Sequence, residues 1–367
     1  MAALGSLLLG VTPVAAVDAS VRVEEYGPFP TPVSGACEVE IDQRGDVWVE
    51  QYLASEVAKL DTASGHITEY PMPVAFAVPG GEEMGWDGGL WITEESANRI
   101  VRINTDDGNM HQFPIPWNAV FPDHRRPVNY GLALSDDITK GADGAMWFTS
   151  YGANAIGRID LTTKKMTKYD IPTPVLNVPT APTGIIKTGP GDTVIFNEPG
   201  ANKIGAINVV TKKITEYAIP TPLTVPIGLN VGPDAAIWFS ESAAQKLGRI
   251  DPTTGQVTEY GLLDMRRLLG ESVRGNPVPF PGPLVTGSDG SIYFAENFGG
   301  LTGLGDKIGR FNPRTYEYAE FPTPTPYASP CDLNNEQAGS IWFGEIGPTA
   351  NKVGRLTYQP APNHRPK

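Results

Sequence analysis

The chain has 367 residues, with 41 Gly, 35 Pro and 40 % hydrophobic residues, which suits many short strands and tight turns better than helices. A formal net charge of −13 disfavours nucleic acid and anionic membrane surfaces, which would be repelled, and leaves a small molecule or another protein as the expected partner. No segment offers about twenty unbroken apolar residues, so stable membrane insertion is not expected.

The chain opens on "MAALGSLLLGVTPVAAVDAS", an apolar run followed by small residues at Ala16 and Ala19. Residues 1–19 read as a secretory signal without the usual basic start, which implies the secretory pathway or the cell exterior. A single repeat-built domain is expected over 20–358, with a polar tail over 359–367.

Seven copies of one phrase follow, anchored on Trp48, Trp91, Trp147, Ile195, Trp238, Tyr293 and Trp342. Each copy has an apolar stretch, a turn such as "SDG", the anchor strand, a segment like "NKIGRI", a turn like "DPTTG", and a segment like "ITEYPIP". The last two segments alternate with period two, the pattern of half-buried strands. Four strands in about 40 to 50 residues is the spacing of a β-propeller blade, so the fold class is all-β, a seven-bladed propeller. The seventh copy ends after three strands, and its fourth matches "VRVEEYGPFPTP" at residues 21–32. The N-terminal segment is therefore expected to be the outer strand of the last blade, which would leave no open sheet edge. Cys37 and Cys331 each lie eleven residues before an anchor, in the first and last copies. They could form a disulfide or remain two buried thiols.

The phrase "G-x-(I/M)-W-F…N-K-(I/V)-G-R…T-E-Y-x-(I/L)-P" resembles the streptogramin B lyase family from about Val21 to Tyr358. That resemblance implies a seven-bladed propeller that opens a cyclic depsipeptide at its ester by elimination. It also implies a magnesium ion near acidic residues and a histidine base in a "P-H-(A/G)-I" motif where an inner strand starts. The slot eleven residues before the anchors reads here as Cys37, Gly80, Thr183, Ile227, Gly282 and Cys331, with an extended turn around Gly131 in the third copy. None is a histidine. The Glu three residues after the anchor recurs in five copies, which favours a structural role, although Glu296 or Glu345 could correspond to the catalytic acid of the family.

Ligands of propellers usually sit on loops that lead into inner strands. Two insertions interrupt the repeat there, "PWNAVFPDHRRPVNYG" (116–131) and "LLDMRRLLGESVRGNPVPFPGP" (262–283). Trp117, Phe121, Tyr130 and Phe280, with Arg266 and Arg267, could cover an elongated hydrophobic ligand, or the inserts could simply pack on the propeller. His124 beside Arg125 and Arg126 is either a base kept neutral by its cationic neighbours or a surface histidine. Glu38, Glu40, Glu82, Glu83 and Asp332 could converge on magnesium or calcium, or could be ordinary acidic loop residues.

The expectation is an enzyme of lyase, isomerase or cyclase type acting on a small hydrophobic natural product, including a pericyclic closure of hetero-Diels–Alder type. One alternative is a streptogramin B lyase with a displaced base. The other is a non-catalytic ligand-binding or scaffold propeller.

Overall fold

The computed structural model describes residues 8–10, 12–13, 21–117, 136–173, 184–262, 280–296, 305–335 and 337–359. These form seven four-stranded antiparallel blades, the first six running in chain order from inner to outer strand, and the chain is an all-β propeller. Its contacts divide into two compact units, Phe29–Ala218, and Met1–Pro28 with Ile219–Lys367.

The first unit holds blades 1 to 4. Their inner strands are Ala36–Ile41, Pro79–Met84, Ile138–Lys140 and Ile186–Thr188, and their outer strands are Ile67–Pro71, Met110–Pro114, Met166–Asp170 and Ile214–Ala218. The second unit holds blades 5 to 7. Blade 7 consists of Pro330–Asn334, Ser340–Glu345 and Lys352–Thr357, completed by Arg22–Tyr26 in antiparallel register from Arg22↔Thr357 to Tyr26↔Val353. The N-terminal segment is thus the missing fourth strand, as its E-Y-x-x-P signature implied. Upstream, Leu8–Gly10 and Thr12–Pro13, inside the stretch read as a leader, pair in parallel with Val257–Gly261 and Glu317–Pro322. Cys37 and Cys331 are both disulfide-bonded, which decides between the two readings of that pair.

Every residue of the repeated phrase has a packing role. Trp48, Trp91, Trp147 and Trp238 are wholly buried, and each donates its indole N–H to the turn Asp of its own blade: Asp42, Asp87, Asp143 and Asp234, at 3.2, 2.9, 2.9 and 3.1 Å. In blades 2, 3 and 5 the Arg of "GRI" also binds that carboxylate, as in Arg102 Nε to Asp87 at 2.7 Å. The Tyr of "TEY" stacks on the indole, with ring centroids 5.5 Å apart for Trp48 and Tyr70 and 5.2 Å for Trp238 and Tyr260. The Gly of "IGR" is required because a Phe ring of the anchor strand lies flat over it: a Cβ on Gly248 would overlap the Phe239 ring, and the pairs Gly205–Phe196 and Gly354–Phe343 repeat this. Gly248→Ala should therefore cost about 1–3 kcal/mol by overpacking. Urea unfolding measures it, and a variant as stable as the parent would contradict the packing described.

In blades 4, 5 and 7 the recurring Glu after the anchor has an acidic partner. Glu198, Glu241 and Glu345 lie at the ends of anchor strands beside Glu216, Glu259 and Glu25 of outer strands, with Lys203, Lys246 and Lys352 bridging. Each outer-strand Glu also accepts the backbone N–H of a Thr just past the outer strand of the preceding blade, at 3.2 Å for Thr173 and Thr221 and 2.6 Å for Thr325. Burial, then the charge of the partner, pushes the anchor-strand acids up to about 8. Burial also acts to raise the outer-strand acids, but their hydrogen bonds outweigh it and hold them below the usual carboxylate range. The pair thus shares one proton.

A raised carboxyl keeps its proton in the fold after the unfolded chain has released it, so its stabilisation is complete below about 4.5 and is lost as pH rises towards 8. Stability should fall from mildly acidic to mildly alkaline pH. Glu198→Gln with Glu241→Gln should flatten that slope, and parallel pH–stability curves for parent and variant would refute the shared proton.

Candidate functional site

In each blade, the loop leading into the inner strand and the turn from second to third strand lie at the same end, because neighbouring strands are antiparallel. At that end of the Phe29–Ala218 unit, blades 1 to 3 depart from their own repeat. The pairs Glu40↔Trp48, Glu83↔Trp91, Thr139↔Trp147 and Lys187↔Ile195 fix the slot eleven residues before each anchor. In blade 4 that slot is Gly184, where the sequence reading had Thr183. In blade 3 it is Asp136, which the preceding insertion had hidden behind an apparent turn around Gly131.

Asp136 is half-buried and tightly held. Its N–H reaches Thr149 Oγ1 at 3.2 Å, and its carbonyl accepts from Gly81 N at 2.5 Å and Thr93 Oγ1 at 2.8 Å. A side chain on Gly80 or Gly81 would collide with the Asp136 carbonyl or with Asp137, so the glycine pair of blade 2 permits this close approach. Burial, then the charges of Glu95 and Asp137, pushes the Asp136 carboxyl up to about 7.

Around it, Tyr52, Glu95 and Tyr151 occupy one equivalent slot, four residues after the anchor, in blades 1, 2 and 3. The Tyr151 hydroxyl donates to Glu95 Oε1. Burial raises Glu95, and this hydrogen bond partly offsets the rise. Burial and the surrounding carboxylates push both tyrosines above their ordinary range, so they remain protonated donors. Glu50, 1 % exposed, is pushed well up by burial and then by Glu82, against a hydrogen bond from the Glu38 backbone. The arrangement places the Asp136 carboxyl, raised to about 7, beside Tyr52 and Tyr151, which keep their protons. That is the requirement for a positioned general base.

An apolar rim adjoins these groups. Val33, Leu53 and Phe76 are 54 %, 53 % and 87 % exposed. Their loops are tied together by Leu53 N to Ser34 O at 2.9 Å and Ala77 N to Ser55 Oγ at 2.9 Å, and Ser96 N to Ala77 O at 3.0 Å links them to the Glu95 turn. Val33 and Phe76 hold positive φ of 54° and 58°, uncommon for bulky side chains and sustained only where the surroundings enforce it.

The other residues singled out from sequence fall as follows. Trp117 lies flat on Phe148, with centroids 5.9 Å apart, and donates its N–H to Ser150 Oγ at 2.9 Å, so one ring face and its polar tip are engaged within the fold. Phe280 is half-buried just before the inner strand of blade 6. Phe121, His124, Arg125, Arg126, Tyr130, Arg266 and Arg267 lie outside the described residues. Glu296 accepts from the Tyr318 hydroxyl at 2.5 Å, and Glu345 belongs to the proton-sharing pair with Glu25, so both act within blades.

Glu83 is bound by Lys140 at 2.9 Å and Thr139 at 3.2 Å, and Glu40 accepts from Met84 N at 3.2 Å. Glu38 and Asp332 are buried, in separate units. Among the described residues no group of three or more His, Cys, Asp or Glu is arranged to hold a metal ion. Asp136 is the residue that sequence reading missed. Its signal was present: counting back from Trp147 by the spacing of the other copies reaches the single acid in that slot.

The fold has known counterparts. The description "Virginiamycin B lyase family" matches residues 9–174 and 133–268. Virginiamycin B lyase from Staphylococcus aureus is 28 % identical with a TM-score of 0.75, covering 92 % of this chain and 100 % of that one. A catalytically inactive histidine-to-alanine variant of that enzyme, solved with quinupristin, is 28 % identical with a TM-score of 0.74 at the same coverage. A streptogramin B lyase is 27 % identical with a TM-score of 0.75, covering 92 % of this chain and 98 % of that one. No curated protein matches the chain. With the family description spanning more than half of its length, the chain belongs to the virginiamycin B lyase family.

Proposed function

We propose that the protein is a lyase that opens an ester in a hydrophobic cyclic depsipeptide by elimination, with Asp136 as the base. The observation that carries this reading is a carboxyl raised to about 7 in the inner-strand slot of blade 3, the repeat equivalent of the slot where the family resemblance implies a histidine in a late blade. The Asp136 carboxylate removes the proton on the carbon next to a carbonyl. The electron pair of that C–H bond forms a carbon–carbon double bond, the adjacent carbon–oxygen bond breaks, and the ester leaves as a carboxylate. Tyr52 and Tyr151, held protonated, donate to the oxygen on which charge develops. Val33, Leu53 and Phe76 supply apolar surface for the ring side chains of the substrate.

The test is incubation with quinupristin, followed by chromatography and mass spectrometry. Elimination yields a linear product of unchanged mass with a new conjugated double bond, whereas hydrolysis adds a water. Intact quinupristin after prolonged incubation, or a hydrolysed product, rules the reading out. The cyclase reading rests mainly on the two insertions, and no described contact favours it.

A further inference from the structure

We propose that a hollow at the opposite end of blades 1 and 2 binds a neutral carbohydrate. The hollow has a volume of about 660 Å³ and is lined by Gln43, Arg44, Trp86, Arg102, Asn104 and Asp106, among others. Trp86 is 61 % exposed, whereas the anchor residues Trp48, Trp91, Trp147 and Trp238 are all 0 %. It is also unrepeated: the equivalent turn position holds Gln43, Ala142, Pro190, Pro233 and Ser288 in other blades. Its indole N–H donates to Gly141 O at 3.0 Å, which fixes the ring plane, and Lys140 Nζ lies over the ring 5.9 Å from its centroid.

The chemistry of the lining selects the ligand class. Arg44 is paired with Asp106 and Arg102 with Asp87, each at 2.7 Å, so neither guanidinium offers an uncompensated charge to an anion. A cation on the indole would meet Lys140 already at the ring. What remains is a broad apolar ring surface beside mixed donors and acceptors. Among the described residues no hydrogen bond occupies the Gln43 amide, and Asn104 uses only its Oδ1, which accepts Asp106 N at 3.0 Å. A pyranose matches this set, since its C–H face packs on an indole while its hydroxyls both donate and accept. This hollow lies beyond the ends of the inner strands, whereas Asp136 precedes one, so the inference does not depend on the proposed lyase chemistry.

The intact protein is titrated with cellotriose, maltotriose and N-acetylchitotriose, following tryptophan fluorescence and the indole N–H signals. At least one sugar should bind saturably, and Trp86→Ala should weaken it about tenfold or more, the scale of a lost aromatic stack. Asp106→Asn should weaken it too, while Asp136→Asn should leave it unchanged. Circular dichroism confirms that the exposed Trp86 can be removed without unfolding. Absence of saturable binding by all three sugars overturns the inference, as does undiminished binding by Trp86→Ala or loss of binding in Asp136→Asn.

Discussion

Asp136→Asn should lower the rate of quinupristin opening by about 10²–10⁴-fold, the usual worth of a positioned general base. The substitution keeps size and shape but removes the group that accepts the proton. The backbone of Asp136 is pinned by Gly81, Thr93 and Thr149 independently of its carboxyl, so the fold should persist. In the parent, kcat/KM should rise with pH up to about 7 and then level, because only the carboxylate can act and burial beside Glu95 and Asp137 sets its ionisation there. Stability provides an independent readout. A carboxyl with a raised folded pKa destabilises the fold once it is ionised, so above pH 7 the Asn variant should be as stable as the parent or more so. A variant that turns over at the parent rate with the same pH limb would remove Asp136 from the mechanism. A variant that unfolds would instead show a structural role.

Glu25→Ala should destabilise the protein by about 1–3 kcal/mol, the scale expected when a part-buried charged acceptor of several hydrogen bonds is removed. Glu25 sits on the N-terminal strand of blade 7 and accepts from Thr325 N, Thr325 Oγ1 and Lys352 Nζ, each at 2.6 Å, while sharing a proton with Glu345. Its loss leaves the Thr325 N–H without its acceptor and the Lys352 ammonium with only Thr325 Oγ1 at 2.9 Å and the neighbouring Glu345. It also loosens the strand that covers the outer edge of Lys352–Thr357. Urea unfolding gives the magnitude, and Glu25→Gln, which keeps an acceptor oxygen, should lose less. A change within about 0.5 kcal/mol, the ordinary range for a surface substitution, would mean that the N-terminal strand contributes little through this network.

Repetition separates structure from function in this chain. The Trp, Asp, Gly, Arg, Glu and Tyr of the phrase recur because every blade must bury one indole, bind its N–H to a turn carboxylate, fit a ring over a glycine and cap an outer strand. Asp136 and Trp86 each stand where other blades carry something else, and neither is needed to build a blade. Glu296 and Glu345, read from sequence as candidates for the catalytic acid, are each engaged within a blade, Glu296 with Tyr318 and Glu345 with Glu25.

The fold was legible because its signals are local: period-two alternation, turn residues at fixed offsets and one aromatic anchor per copy report strands and blades without long-range contacts. The completion of blade 7 was legible for the same reason, since the E-Y-x-x-P signature of an outer strand is the same wherever it falls in the chain. The site was not, because its groups are spread over residues 52 to 151 on three blades, and their chemistry arises from being brought together. Tyr52, Glu95, Asp136 and Tyr151 are ordinary residues along the chain. Stacking blades 1 to 3 partly shields them from water and places like charges side by side, which raises the Asp136 carboxyl to about 7 and keeps the tyrosines protonated. Local pattern alone thus determined the architecture, while only tertiary packing, through desolvation and proximity of charge, decided which carboxyl can do chemistry.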